Sequence, residues 1–408
     1  MMSHSHFTTR AAHPPAESGP ARALRSALAL GAALLLFALP ACEEAPDADA
    51  GVPDESSDVM EFSSQYHGLE VTRVASDLEN PWAIAFVGDD RVLVSERPGR
   101  VQLLENGERT EVDGLPEIHA QNQGGMLDLV PHPDFDENGW VYMTWSKGDS
   151  DETVPALGRA RLEGTAFVDF EELFESNTPT SPGRHYGSRI LFLDDGTLLM
   201  TIGDRGAEPD RAQDTRDHSG TVVRLNDDGS VPDDNPFVGN DDYAPEIWSY
   251  GHRNIQGIIL HPATGEVWAT EHGPRGGDEL NRIEPGLNYG WPAATLGREY
   301  GSQEPFSDDR HLPGMEDPVW EFLPTLAPSG LAVVAGGFEN WEGDLLAGGL
   351  AAERILRVVL EEGQVVHIEE LLTGELGRIR DVRQAPDGAI WFAVDASDGA
   401  VYRMVADD

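Results

Sequence analysis

Two kinds of segment alternate along most of this chain: short runs in which every second residue is apolar, and turns rich in Gly and Asp. A period of two places alternate side chains on the same face, so these runs predict β-strands. The strands recur in pairs, and the second strand of each pair carries Arg or Asn among apolar residues. Six pairs occur between residues 68 and 404, at 91–94 with 100–103, 140–143 with 159–162, 197–200 with 221–225, 266–269 with 279–283, 344–347 with 354–358, and 389–392 with 400–404.

The regular recurrence of these pairs predicts the architecture. No long helical period lies between them. Six units over about 340 residues allow about 57 residues each, compared with about 40–45 for a bare four-stranded propeller blade. We therefore predict an all-β fold, a six-bladed β-propeller over residues 67–408, with function on one rim and near the central channel. Two β-sandwiches are the alternative, but they do not explain a strand pair that repeats from end to end.

Composition narrows the chemistry. The 408 residues include 28 Lys plus Arg and 73 Asp plus Glu, for a formal net charge of −45 at pH 7. Such a chain lacks the basic face that nucleic acid or anionic lipid needs, and we predict no nucleic-acid partner. Lys147 is the only lysine, which all but excludes Schiff-base chemistry on lysine. Cys42 is the only cysteine, so the chain has no intramolecular disulfide, thiolate zinc site or iron–sulfur cluster.

The N-terminal segment predicts export and anchoring. Three arginines precede an uncharged apolar run at 27–39, which is shorter than the ~20 residues that span a bilayer and ends at Leu39-Pro40-Ala41-Cys42. This end resembles a bacterial lipobox, in which Cys42 is lipidated; an unmodified cysteine beside an ordinary cleavage site is the alternative. We predict a lipoprotein signal peptide at 1–41, an acidic flexible tether at 42–66, and a lipid anchor holding the exported protein on the periplasmic or cell-surface face of an envelope membrane.

Common cofactor motifs are missing from the sequence. It contains no Gly-rich dinucleotide fingerprint, phosphate loop or His-Glu-x-x-His helix, so nicotinamide chemistry on a Rossmann domain is excluded. Residues 134–139 match the first half of an EF-hand loop, but Trp145 occupies the twelfth position, where calcium binding needs Glu. We interpret this segment as a plain turn.

Five polar segments show no amphipathic pattern that would explain them. Glycine beside a charged residue lets backbone approach a ligand, while His, Arg and Asp together can move a proton and hold an anion. A single His is more often structural, but five such loops on successive blades can all face one channel. The segments are 123–125, 184–187 with 203–205, 251–254, 271–279 with 288–291, and 378–381.

At these residues the sequence closely resembles the soluble pyrroloquinoline quinone (PQQ)-dependent aldose sugar dehydrogenases of the glucose/sorbosone dehydrogenase family. The similarity extends from Leu78-Glu79-Asn80-Pro81-Trp82 to Tyr402. Its most specific stretches are 246–254, 271–281, 288–292 and 378–382. The resemblance implies a six-bladed propeller that binds PQQ and Ca²⁺, oxidises the anomeric carbon of an aldose to a lactone, and passes electrons to an external acceptor.

The resemblance also implies roles for individual residues. His185 matches the general base that takes the proton of the anomeric hydroxyl as hydride leaves C1 for the quinone, and Asp204 matches the carboxylate that orients this base. Arg253 and Asn254 match residues at the quinone carbonyls, where negative charge develops. The remaining matches are cofactor contacts at Gln123, Tyr300, Arg378 and Arg380, and carbonyl ligands of a quinone-bound calcium at Gly273 and Pro274. A second calcium site matches Glu279 and Tyr289, the latter through its carbonyl.

One segment departs from the family pattern. Where the family usually has Ser-Leu-Lys with the Lys on a cofactor carboxylate, residues 349–354 read Gly-Leu-Ala-Ala-Glu-Arg. Either Arg354 reaches into the cofactor pocket or the affinity for the quinone is lower. Two other functions therefore stay open at this point: a calcium-dependent sugar lactonase that needs no quinone, and a non-catalytic binding propeller at the cell surface.

Overall fold

The computed structural model describes residues 59–88, 90–181 and 183–407. Within these ranges, twenty-five strands form six antiparallel sheets. The helices there are a single turn, α1 (Phe135–Asn138), and a short 3-10 helix at Pro209–Gln213. None of the helices in the described ranges has the length and apolar character needed to cross a membrane.

The chain enters the fold through two long strands and then builds three four-stranded blades. The entry strands are β1 (Val59–Ser63) and β2 (Gly68–Leu78). Blade 1 comprises β3 (Pro81–Phe86), β4 (Arg91–Glu96), β5 (Arg100–Glu105) and β6 (Glu108–Glu111). Blade 2 comprises β7 (Met126–Pro131), β8 (Trp140–Gly148), β9 (Thr153–Glu163) and β10 (Ala166–Glu175). Blade 3 comprises β11 (Ile190–Phe192), β12 (Leu198–Ile202), β13 (Thr221–Leu225) and β14 (Ile247–Tyr250).

The second half of the chain builds two more four-stranded blades and most of the last one. Blade 4 comprises β15 (Ile255–Leu260), β16 (Val267–Glu271), β17 (Asp278–Ile283) and β18 (Trp320–Phe322). Blade 5 comprises β19 (Pro328–Val333), β20 (Leu345–Gly349), β21 (Arg354–Glu361) and β22 (Gln364–Leu371). Blade 6 contains β23 (Ile379–Gln384), β24 (Ile390–Val394) and β25 (Gly399–Asp407), to which β2 and then β1 are added.

Blade 6 closes the ring by joining the two ends of the described chain. β2 pairs antiparallel with β25 from Gly68↔Asp407 to Leu78↔Gly399. The first strand of each blade contacts the first strand of the next, from β3 through β7, β11, β15, β19 and β23 back to β3. The six-bladed propeller predicted from the sequence is thus confirmed, and each predicted strand pair forms two adjacent antiparallel strands.

The N-terminal boundary and one turn differ from the prediction. Residues 59–63, placed in the tether at 42–66, form β1, because Met60 and Phe62 pack against the core of the last blades. The segment 134–139 forms the one-turn helix α1 ending at Gly139, whose φ is 70°, and is not the plain turn expected. The signal peptide at 1–41, Cys42 and the rest of the tether lie outside the described residues and stay predictions.

A buried ionic network crosses the central channel. The Arg189 guanidinium lies 2.9 Å from the Asp381 carboxylate and 3.4 Å from that of Asp128, and Arg383 contacts the same two carboxylates at 3.0 and 2.9 Å. These residues belong to blades 2, 3 and 6, so the network fixes the inner strands relative to each other. Arg189 also lies 4.0 Å from the centroid of the Trp82 ring, which lines the cavity described next. Removing one partner of such a buried network typically costs about 3–5 kcal/mol.

Candidate functional site

A polar cavity of about 210 Å³ lies at one end of the central channel. All six blades contribute to it because their inner strands begin at the same end of the channel, and the loops that precede these strands converge there. Asn254 directly precedes β15, while Gln123, His185 and Arg378 stand within a few residues of β7, β11 and β23. The cavity is lined by Trp82, Arg97, Gln123, Leu127, His185, Tyr186, Gly187, Arg253, Asn254, Gln256, His272, Tyr300, Ala327, Leu350, Arg378 and Arg380.

The structure brings the predicted base and its predicted partner together. His185 Nδ1 lies 2.6 Å from Asp204 Oδ1. When Nδ1 carries the proton of the neutral imidazole and donates it in a hydrogen bond to this carboxylate, Nε2 is left as the hydrogen-bond acceptor. The second oxygen of Asp204 accepts a hydrogen bond from Trp291 Nε1 at 2.9 Å, and Oδ1 also accepts the Gly206 N–H at 2.8 Å. Asp204 therefore lies behind the cavity wall as a fixed, fully hydrogen-bonded carboxylate.

The backbone of His185 is held in an uncommon conformation. Its φ is 52°, in the left-handed region, which costs a non-glycine residue on the order of 1 kcal/mol. Neighbouring groups hold it there: Gln123 Oε1 accepts the His185 N–H at 2.8 Å, and the Arg205 guanidinium donates to the His185 carbonyl at 3.2 Å. The predicted cofactor contact Gln123 is thus also a support for the base.

Burial and charge shift both pKa values of the pair. Burial lowers the pKa of His185 below its ordinary value. The hydrogen bond that His185 donates to Asp204 opposes this shift, and the positive charge of Arg253 adds to it. Burial opposes ionisation of Asp204, but the hydrogen bonds and charge of His185, Arg253 and Gly206 hold its pKa below the usual value. At neutral pH the pair is therefore a neutral imidazole beside a carboxylate, the protonation state that a general base requires.

Arg253 and Asn254 occupy the wall next to the base. The Arg253 guanidinium donates to the carbonyl oxygens of His272 at 3.1 Å and Gly273 at 2.7 Å. Asn254 Oδ1 accepts the Gly187 N–H at 3.1 Å. Both side chains are buried, so their orientation is set by protein contacts before any ligand binds. A cation fixed in this way can stabilise negative charge that develops on a ligand.

Three more predicted cofactor contacts, Arg378, Arg380 and Tyr300, also line the cavity. Arg380 pairs with Asp395 at 2.6 Å, and Arg378 lies 3.9 Å from the same carboxylate. Within the described residues, Arg380 Nε and His272 Nε2 are buried without a hydrogen-bond partner. Tyr300 is 65% exposed and lies on the rim, where its hydroxyl donates to the Pro274 carbonyl at 3.1 Å. A buried guanidinium N–H without a partner, as at Arg380 Nε, fits an anionic, acceptor-rich ligand such as a tricarboxylate quinone.

The two carbonyls predicted for the quinone-bound calcium lie beside this cavity. Gly273 O and Pro274 O accept hydrogen bonds from Arg253 and Tyr300, both of which line the cavity. Asp278 holds their loop through Oδ1, which accepts the Gly273 N–H at 3.0 Å. Carbonyl oxygens suit calcium, but two of them leave most of its six to eight ligand positions to the cofactor and water. Among the described residues, no group of three or more His, Cys, Asp or Glu side chains is arranged to hold a metal.

The predicted second calcium site lies deeper in blade 4. Glu279 pairs in register with Glu271 on one side and Glu321 on the other, so three carboxyl groups share a row. Burial and then the charge of Glu271 raise the pKa of Glu279 well above its ordinary value. The Tyr289 ring stacks on His252, whose Nδ1 lies 2.9 Å from Glu271 Oε2. The predicted ligand of Tyr289 is its backbone carbonyl, and this assignment stays a prediction. The second calcium site therefore stays a prediction.

Several residues of the site were not found by reasoning from the sequence. Trp291 lies in the segment 288–292, which resembles the family, but nothing local in the sequence shows that its indole N–H donates to Asp204, 87 positions away. Arg97 reads as an ordinary turn residue between β4 and β5, yet it lines the cavity. Of the two outcomes considered for Arg354, the structure disfavours the first: this side chain pairs with Glu370 at 2.5 Å in a separate groove and is not among the residues that line the cavity.

Comparison with known proteins places this site in a family. The family model of glucose/sorbosone dehydrogenases matches residues 78–403. The chain belongs to the glucose/sorbosone dehydrogenase family. It is 36% identical to the aldose sugar dehydrogenase YliI of Escherichia coli over 344 residues, which cover 82% of this chain and 92% of that protein.

Solved structures agree with this family assignment. The apo form of the soluble aldose sugar dehydrogenase of Escherichia coli superposes with a TM-score of 0.80 at 34% identity, covering 83% of this chain and all of the other. The PQQ-bound aldose sugar dehydrogenase of Streptomyces coelicolor gives a TM-score of 0.70 at 27% identity, covering 83% of this chain and 98% of that one. As a member of this family, the protein is a sugar oxidoreductase with a propeller fold.

Proposed function

We propose that this glucose/sorbosone dehydrogenase family member is a PQQ-dependent aldose dehydrogenase, which oxidises the C1 hydroxyl of an aldose to a lactone and passes the electrons to an external acceptor. The observation that carries the proposal is the His185–Asp204 pair, joined at 2.6 Å on the wall of a cavity whose other walls hold buried arginines. The similarity to a PQQ-bound aldose sugar dehydrogenase supports the choice of cofactor.

The residues of this chain divide the work between proton transfer and anion binding. When bound, the quinone accepts a hydride and calcium polarises it. His185 Nε2 accepts the proton of the anomeric hydroxyl, so that the electron pair of the O–H bond forms the C1=O bond of the lactone as the C1–H hydride departs. Asp204 stabilises the imidazolium that results. Arg253 and Asn254 would contact the quinone carbonyls, Gln123, Tyr300, Arg378 and Arg380 its other polar groups, and the Gly273 and Pro274 carbonyls the calcium.

The experiment is reconstitution of the cofactor-free protein with PQQ and Ca²⁺, followed by reduction of an artificial dye in the presence of a panel of aldoses. We expect dye reduction that needs the quinone, calcium and sugar together. Binding of the quinone without dye reduction on any sugar of the panel would refute the dehydrogenase. Hydrolysis of sugar lactones with calcium alone would instead identify a lactonase, and absence of quinone binding would favour a binding propeller.

A variant separates the role of the base from that of the cavity. His185→Ala removes the proton acceptor, so we expect turnover to fall at least ~100-fold. Quinone affinity, measured by titration, should stay nearly unchanged. An unaltered turnover would mean that another group is the base.

A further inference from the structure

Arg97 has a rigid backbone at the edge of the cavity. It follows β4 in the turn that leads to β5. Its N–H donates to the Asn80 carbonyl at 3.1 Å, and its own carbonyl accepts the Met126 N–H at 3.1 Å. Gly125 permits this close approach, because a Cβ at that position would lie 1.7 Å from the Arg97 carbonyl oxygen. Blades 1 and 2 thus hold Arg97 in place while its side chain lines the cavity.

The Arg97 guanidinium differs from those of the other cavity arginines. Arg253 donates to two carbonyls, Arg380 pairs with Asp395, and Arg378 contacts the Leu350 carbonyl at 3.4 Å as well as the same carboxylate. The guanidinium of Arg97 makes no hydrogen bond or ion pair with any residue in the described part of the chain. The side chain is only partly exposed, so bulk water does not replace these bonds completely.

The charges around Arg97 do not balance. Burial lowers the pKa of Arg97, the carboxylate of Asp395 opposes this effect, and Arg380 and Arg378 lower the pKa further. Asp395 is already bonded to Arg380 at 2.6 Å and to the Asn80 side-chain amide at 2.9 Å. Glu79, the other carboxylate that acts on Arg97, is bonded to Arg100. Three guanidinium groups therefore face one carboxylate on this wall, in a protein whose net charge is −45.

Partly buried positive charge without a partner is costly, so this wall is built for an anion that supplies at least two negative charges. We propose that Arg97 binds a carboxylate of the quinone cofactor and, with Arg378 and Arg380, forms a three-arginine wall for the polycarboxylate. This inference rests on the proposed function, since it takes PQQ as the ligand. It adds a cation that sequence reasoning did not identify, on a different blade from Arg354.

The test is a titration of the cofactor-free protein with PQQ at fixed Ca²⁺, in which binding is measured by the quenching of tryptophan fluorescence. Removal of a charge-assisted hydrogen bond to a carboxylate typically lowers affinity by about 10–100-fold, so Arg97→Gln should raise the Kd for PQQ by that factor. Arg97→Lys keeps the charge and should recover part of the affinity. Arg354→Gln is the matched control, because it removes an arginine of the same kind that faces a separate groove, and its Kd should equal that of the wild type.

Further measurements distinguish binding from folding and one failure from another. The wild-type Kd should rise more steeply with NaCl than that of Arg97→Gln, because one fewer charge contact remains in the variant. Unfolding midpoints of all variants show whether each is folded. If the wild type binds PQQ and Arg97→Gln binds it within twofold, the assignment of Arg97 is overturned while the proposed function stands. If the wild type itself binds no PQQ, both proposals fall.

Discussion

Replacement of Asp204 by Asn tests whether this carboxylate tunes the base. Its side chain is 2% exposed and accepts three hydrogen bonds, from His185, Gly206 and Trp291. An amide of the same shape has one acceptor oxygen and an NH₂ group in place of the second. If the oxygen takes the position facing His185, the NH₂ group points at the indole N–H of Trp291, and one buried donor loses its partner.

The magnitude follows from these contacts. Changing a charge-assisted hydrogen bond into a neutral one removes about 1–2 kcal/mol from stabilisation of the imidazolium, and the misdirected amide weakens orientation of the ring further. We expect kcat to fall about 10–100-fold in Asp204→Asn. The orphaned donor should lower the free energy of unfolding by about 1–3 kcal/mol. The pKa of Asp204 lies below its ordinary value, so the ionised carboxylate stabilises the folded protein. The difference in free energy of unfolding between the wild type and Asp204→Asn should therefore be largest above about pH 4 and should shrink as the pH falls further.

The direction in which the pH profile of kcat/KM shifts in Asp204→Asn tests the role of Asp204 most directly. A base must be unprotonated, so activity rises with pH as His185 loses its proton. Burial lowers the pKa of His185 and the bond to Asp204 raises it, so Asp204→Asn should lower this pKa further. The acidic limb of kcat/KM should therefore move to lower pH while the plateau falls. Asp242→Asn is the control, since Asp242 is 80% exposed and pairs with Arg216 on the surface. An acidic limb that moves to higher pH, or an unchanged plateau, would refute this account of the pair.

Three further changes follow from the same geometry. A Cβ on Gly203 would lie 2.2 Å from the His185 carbonyl oxygen, so Gly203→Ala should lower kcat and should also lower the free energy of unfolding by about 1–3 kcal/mol. A Cβ on Gly301 would meet no atom of the described residues within 4 Å, so Gly301→Ala should change neither quantity. Arg205→Lys loses the guanidinium that holds the base's backbone, so kcat should fall more than KM rises; equal changes would contradict this positioning role. Burial lowers the pKa of His272 to about 3, so the unfolded chain binds a proton at this residue between pH 7 and pH 5 while the folded protein does not. This difference should make the free energy of unfolding about 2 kcal/mol lower at pH 5 than at pH 7, and His272→Gln should lack this contribution to the pH dependence.

Much of the architecture could be predicted from the sequence because it depends on local alternation. A period of two identifies a strand, and six repeats of one strand pair identify six blades, with no need of long-range contacts. The N-terminal boundary was placed too late because β1 is short and acidic residues precede it; only pairing with β2 shows that Val59–Ser63 belong to the sheet. The resemblance supplied most of the residues now found on one cavity wall or another.

The sequence by itself determined which residue types are available: one lysine, one cysteine, and His, Arg and Gly in loops between strands. The tertiary structure decided which of them meet, because ring closure brings the starts of six inner strands to one end of a channel, across separations that no local pattern records. Asp204 thereby meets Trp291, and Arg97 meets Arg378 and Arg380, while Arg354 faces another groove. The charge of the protein likewise depends partly on composition and partly on tertiary structure. The net −45 is a property of composition, but the excess of positive charge on one cavity wall arises only when blades 1 and 6 lie side by side.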